Sequence, residues 1–153
     1  MVKEIPLDDL YREVILDHYR HPRCHSPVSN PDIQELGYNP LCGDEVTVQI
    51  RCRRNCGGPS SIDQVGIFGR GCSICTASGS MLGDLIKGQS FEKAESIIQV
   101  IKDVMHGKPS SLEQFGDLAA LEGVKNFPVR IKCALLPWMT LCEAMKKIKE
   151  KQS

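Results

Sequence analysis

Residues 45–52 alternate without a break: Val46, Val48, Ile50 and Cys52 fall on one side, Thr47, Gln49 and Arg51 on the other. Period-two patterning of this kind belongs to a strand with one buried face. A turn region follows, Arg53-Arg-Asn-Cys-Gly-Gly-Pro59, and residues Ile62–Phe68 form a return strand. The two make an antiparallel hairpin, in which the start of the first strand lies beside the end of the second. That constraint brings Cys42 and Asp44, at the start of the first strand, next to Cys72, which follows the second.

Around the hairpin the patterns are helical. Residues 7–20 place Leu7, Leu10, Tyr11, Val14 and Ile15 on one stripe, with Asp8 and Asp9 suiting the first turn and Pro22 as a stop. A loop-rich stretch, 23–38, leaves room for a short strand at 33–36. A helix from about Thr76 to Lys87 ends at Gly88. Ser90 caps the next, whose stripe is Phe91, Ala94, Ile97, Ile98, Ile101 and Met105. Ser110-Ser-Leu-Glu113 has the form of a capping box and opens a short helix. Pro128 begins the last helix, with a kink expected at Pro137.

At 153 residues the chain fits one domain, and 19 basic against 19 acidic side chains give no electrostatic case for nucleic acid or a membrane surface. No apolar run is long enough to cross a bilayer, and the N-terminus lacks the apolar core of a signal peptide. A cytoplasmic protein is expected. The eight cysteines then suggest metal or sulfur chemistry in place of disulfides.

Three segments bear metal-capable side chains: Asn39-Pro-Leu-Cys-Gly-Asp44, Gly71-Cys-Ser-Ile-Cys75 and Arg130-Ile-Lys-Cys133. Cys72 falls at a helix N-terminus, where free amide N–H groups and the helix dipole favour a thiolate. Cys42, Asp44, Cys72 and Cys133 are read as one four-ligand metal site of three thiolates and a carboxylate. Zinc accepts such donors, and the formal charge of −2 that results would be offset by Arg130 and Lys132. A rival ribbon-type set, Cys52, Cys56, Cys72 and Cys75, has workable spacing but divides its members between the two ends of the hairpin. Cys75 stays open as a core residue, a thiol able to pair with Cys72, or a spare ligand. Cys42 alone, in its polar turn, is open to an incidental reading. His18, His21 and His25 cluster around Cys24 and read as a solvated helix end; His106 reads as a helix C-terminus.

Together with Leu10-Tyr-Arg-Glu-Val-Ile-Leu-Asp-His-Tyr-Arg-His-Pro-Arg23, these motifs make the chain resemble the NifU/IscU-like family of iron–sulfur cluster assembly proteins over nearly its whole length. Lys132 stands where scaffold members carry a histidine, and residues 107–127 look like the insertion of the SufU branch, so that branch is the nearer likeness. The resemblance implies a single α+β domain over residues 1–153, with a small antiparallel sheet of about three strands packed with helices. It implies zinc on the positions matching Cys42, Asp44, Cys72 and Cys133. It also implies a partner, a pyridoxal-phosphate-dependent cysteine desulfurase, whose persulfide sulfur passes to Cys42 when a desulfurase histidine replaces that ligand. Downstream assembly proteins would receive the sulfur. The alternative is a scaffold on which a [2Fe–2S] cluster is built by the same residues. Cys75, where the branch usually has serine, and Pro137 depart from the pattern.

Overall fold

The computed structural model describes residues 7–55 and 58–151. Helix α1 (Leu7–Arg20) leads into a loop and then a three-stranded antiparallel sheet, β1 (Ile33–Asn39), β2 (Asp44–Asn55) and β3 (Gly58–Arg70), in the order β1-β2-β3. Helices α2 (Ser73–Ile86) and α3 (Phe91–Met105), a 3-10 segment (Glu113–Asn126) and α4 (Pro128–Glu150) complete the chain. This is the expected α+β architecture.

The alternating face of β2 supplies Val46, Val48 and Ile50 to the core, opposite Val65 and Ile67 of β3 and under α2 and α4. The strands run further than alternation indicates, so that most of the expected turn at 53–59 is strand. Register shifts between Arg51 and Cys52 and between Arg53 and Arg54 break the period there, which is why the pattern fades in the sequence before the strand ends. Glycine permits the close packing of the layers: a Cβ on Gly79 of α2 would lie 2.9 Å from Ile67 Cγ2 and 3.7 Å from Pro137 Cγ. Helix α4 is one element through Pro137, and Trp138 beside it is fully buried. Trp138 Nε1–H donates to Ser78 Oγ at 2.9 Å, and Ser78 donates in turn to the Ala134 carbonyl at 2.6 Å, so the single tryptophan ties α4 to α2.

Two expectations are corrected. His18 does not sit at a solvated helix end: it is 1% exposed, with Nδ1 2.7 Å from Ser80 Oγ on α2 and Nε2 2.8 Å from Asp117 Oδ2 in the 3-10 segment. The periodicity of α1 gave no warning because the face that takes His18 is polar through partners far along the chain. His21 and His25 are exposed. The capping box at Ser110–Glu113 does not form either. Ser111 Oγ accepts the Glu113 N–H at 3.2 Å, while Glu122, nine residues beyond Glu113, accepts the Leu112 N–H at 3.0 Å. The segment that follows is 3-10, broken at Phe115 and Gly116, where Gly116 takes a positive φ of 59°.

Candidate metal centre

The β1–β2 connection is a tight turn over residues 40–43 between Asn39 and Asp44, which face each other in register. Gly43 adopts φ 69°, a conformation costly for other residues, and so lets Cys42 and Asp44 aim at a common point. Across the second hairpin Glu45 pairs with Arg70, and the chain then turns through Gly71 into α2 with Cys72 as its N-cap. The adjacency expected of antiparallel strands is realised in a specific bond: Cys72 N–H donates to Asp44 Oδ1 at 2.8 Å. Asp44 Oδ2 lies 3.9 Å from Cys72 Sγ.

Cys133, one and a half turns into α4, completes the group. Its Sγ is 3.3 Å from Cys42 Sγ, and the ligand atoms of Cys42, Asp44 and Cys133 all lie within 4.8 Å of one another. Among the described residues this is the one group of three or more metal-capable side chains so arranged. Cys72 adjoins it through Asp44 and stands outside that tightest trio. Asp44 is 1% exposed and Cys133 is fully buried, while Cys42 and Cys72 are half-buried. The chemistry of the donors fits a four-coordinate ion. A tetrahedral zinc site has sulfur–sulfur edges of about 3.8 Å and sulfur–oxygen edges of about 3.5 Å. The Cys42–Cys133 pair, at 3.3 Å, is somewhat closer than the first, and the Cys72–Asp44 pair, at 3.9 Å, somewhat wider than the second.

The electrostatics show what such a cluster costs without a cation. Burial, then hydrogen bonds with Asp44, Cys42 and Cys72, pushes the Cys133 thiol well above its ordinary range. Burial, then the charges of Asp44, Cys72 and Cys42, pushes Cys75 up to about 12. A positive ion bound by Cys133 would counter its rise by stabilising the thiolate directly. Arg130, one turn before Cys133, hydrogen-bonds that sulfur and faces Cys72 and Cys42, which raises the pKa of its guanidinium. Lys132 is exposed and lines a surface groove with Tyr38, Leu41 and Met139.

The other cysteines separate from this group. Cys75 is buried in the first turn of α2. Cys52 pairs with Ile62, seven strand residues from Glu45, which is about 23 Å at the usual rise. A ribbon-type set combining Cys52 with Cys72 is thereby excluded; its member Cys56 lies outside the described residues. A polar residue not singled out in the sequence also belongs here. Asn39, 5% exposed, donates from Nδ2 to Cys133 Sγ at 3.8 Å and accepts the Leu41 N–H at 3.3 Å. Its place in the Asn-Pro turn was visible, but its contact with α4 was not.

Comparison with known proteins gives the same picture. The model of the NifU-like N terminal domain matches residues 10–151. The chain belongs to that family. The zinc-dependent sulfurtransferase SufU of Bacillus subtilis is 38% identical over 143 residues, covering 92% of each chain. An iron–sulfur cluster assembly scaffold protein IscU from Streptococcus pyogenes is 32% identical over 142 residues, covering 92% of this chain and 86% of its own. Among solved structures, a protein described as a SUF-system iron–sulfur cluster assembly scaffold from Fervidobacterium islandicum AW-1 superposes with a TM-score of 0.79. It is 32% identical, over 91% of this chain and 98% of its own. Among the described residues no helix is long and apolar enough to cross a membrane.

Proposed function

We propose that the chain is a zinc-dependent sulfurtransferase of iron–sulfur cluster assembly, taking persulfide sulfur from a cysteine desulfurase in the cytosol. Cys42, Asp44, Cys72 and Cys133 are the zinc ligands in this reading, and Cys42 is the sulfur acceptor. The observation that carries it is the convergence of three thiols and a buried carboxylate, supported by 38% identity to a SufU that is itself zinc-dependent. Zinc, when bound, keeps the thiols deprotonated and unreactive toward casual partners.

The roles follow from placement. Cys133 and Cys72 sit on helices packed into the core and anchor the site. Cys42 is half-buried, as Cys72 is, but it rides on a four-residue surface turn beside Leu41, which is 71% exposed, and that placement favours it as the thiol a docked protein meets. Its thiolate attacks the outer sulfur of the donor persulfide. A sulfur–sulfur bond forms on Cys42, the donor's own breaks, and the donor cysteine leaves as a thiolate. Phe127 and Val129, 63% and 65% exposed at the start of α4, present apolar surface for the desulfurase, and a pyridoxal-phosphate enzyme of the SufS type is the partner we infer. Residues 107–127 are taken as a branch-type insertion within a single domain, held to α1 by His18 and Asp117.

Anaerobic metal analysis with a visible spectrum tests this. About one colourless zinc per chain is expected; iron with labile sulfide would favour the [2Fe–2S] scaffold, the reading suggested by the IscU relative. Cys42→Ala is expected to abolish sulfur transfer while the protein retains part of its zinc. Equal zinc loss in Cys42→Ala and Cys72→Ala would count against Cys42 as acceptor.

A further inference from the structure

The two posts of the β1–β2 turn are both buried polar residues, and only one of them is a metal ligand. Asp44 ties the turn to α2 through the Cys72 N–H. Asn39, its partner in register, ties the same turn to α4. The orientation of the Asn39 amide is decided by its surroundings: the Leu41 N–H points at one end, 3.3 Å away, and only an oxygen can accept it. The NH2 group must therefore face Cys133 Sγ, at 3.8 Å, within the longer reach of N–H···S contacts. A donor held against a sulfur is suited to a thiolate, the form in which a cysteine binds metal.

We infer that Asn39 is a positioning residue of the metal centre, its amide N–H holding the Cys133 thiolate while its oxygen fixes the turn that carries Cys42. The inference rests on the zinc reading above and deepens it. Cys42 and Cys133 are 3.3 Å apart, so once Cys42 was released for transfer the turn would be held at its Asp44 end by the Cys72 N–H, while its contact with α4 would rest on Asn39. With Asn39 in place, the turn stays bound at Leu41, its second residue, and Cys133 keeps its hydrogen bond whichever way Cys42 moves. Hydrogen bonds to metal-bound ligands are typically worth about tenfold to a hundredfold in metal affinity.

Two variants separate this role from simple turn capping. Asn39→Asp keeps an oxygen for Leu41 and replaces the donor at Cys133 with a negative charge; Asn39→Ala removes both contacts. Each full-length protein is measured for zinc affinity by chelator competition, for its cobalt(II)–thiolate charge-transfer bands, and for thermal stability of the metal-free form. We expect Asn39→Asp to bind zinc at least tenfold more weakly and to shift the cobalt bands, with metal-free stability close to that of the parent. Asn39→Asp behaving like the parent, with only Asn39→Ala weakened, would mean a turn cap and overturn the inference. An equal fall in metal-free stability in both variants would likewise assign Asn39 a folding role alone. If the parent itself bound neither zinc nor cobalt through thiolates, the zinc reading would fail first, and with it this one.

Discussion

The two ends of the sheet make an instructive contrast, because both carry cysteines and, among the described residues, only one gathers them into a group. At the far end of the long hairpin, Cys52 is half-buried against the core, its N–H donates to Asp32 Oδ2 at 2.7 Å, and burial, then the Asp32 charge, pushes its thiol up to about 11. The charged groups there are satisfied by one another: Arg54 bonds Asp32 at 2.8 Å and Arg51 bonds Asp63 at 3.1 Å. At the near end, thiols and a carboxylate face each other, with Arg130 as the cation against them. A cluster of like acids inside a protein is unfavourable unless a proton or a metal offsets it. The far end is finished as a piece of structure; the near end is completed by something added.

The sharpest way to break that contrast is to remove one cysteine from each end. Cys72→Ala deletes the acceptor of the Cys75 N–H at the start of α2 as well as the neighbour of Asp44. Loss of nearly all bound zinc is expected, and with it about 3–4 kcal/mol of metal-linked stability at saturating zinc, read by thermal unfolding with and without metal. Cys52→Ala is expected to keep full zinc content and to change stability by about 1 kcal/mol or less. Zinc loss in Cys52→Ala would erase the distinction between the ends.

A smaller effect is expected from backbone geometry beside the site. Gly69 has φ 142°, and a Cβ there would lie 2.3 Å from the Glu45 carbonyl oxygen. Gly69→Ala should cost about 1–3 kcal/mol in denaturant unfolding. It should also weaken zinc binding, since Glu45 follows Asp44 directly.

The smallest effect belongs to the far end and is linked to pH. Burial works against the Asp32 carboxylate, but the Cys52 N–H and Arg54 outweigh it and hold its pKa below the ordinary 3.8. A carboxylate depressed in the folded state contributes stability above its unfolded pKa and loses it as pH falls through the folded value. Asp32→Asn should therefore reduce stability at neutral pH by about 1 kcal/mol or less, Arg54 being largely exposed, and the deficit should vanish toward strongly acid pH. A deficit that persisted there would show that geometry at Cys52, not charge, is what Asp32 provides.

Much of this architecture was readable in the residues themselves. Alternation in β2, a return strand, and caps such as Ser90, whose Oγ accepts the Lys93 N–H, act within a few residues of their cause. Antiparallel pairing then makes neighbours of the strand ends, so the proximity of Asp44 to Cys72 follows from local pattern alone. Cys133 is a different case. Its motif marked it as a candidate, but its position 3.3 Å from Cys42 depends on how α4 crosses the sheet. Periodicity identifies the apolar stripe of a helix; it does not say which layer that stripe will meet or at what height. The same limit hid the burial of His18 between Ser80 and Asp117, and the reach of Asn39 to α4. Sequence by itself determined the β2–β3 hairpin and the chemical kind of donors that its near end gathers, because those depend on short-range pattern and residue type. Tertiary packing alone decided which polar groups stand around that centre, because a buried polar side chain is placed by partners that pattern does not encode.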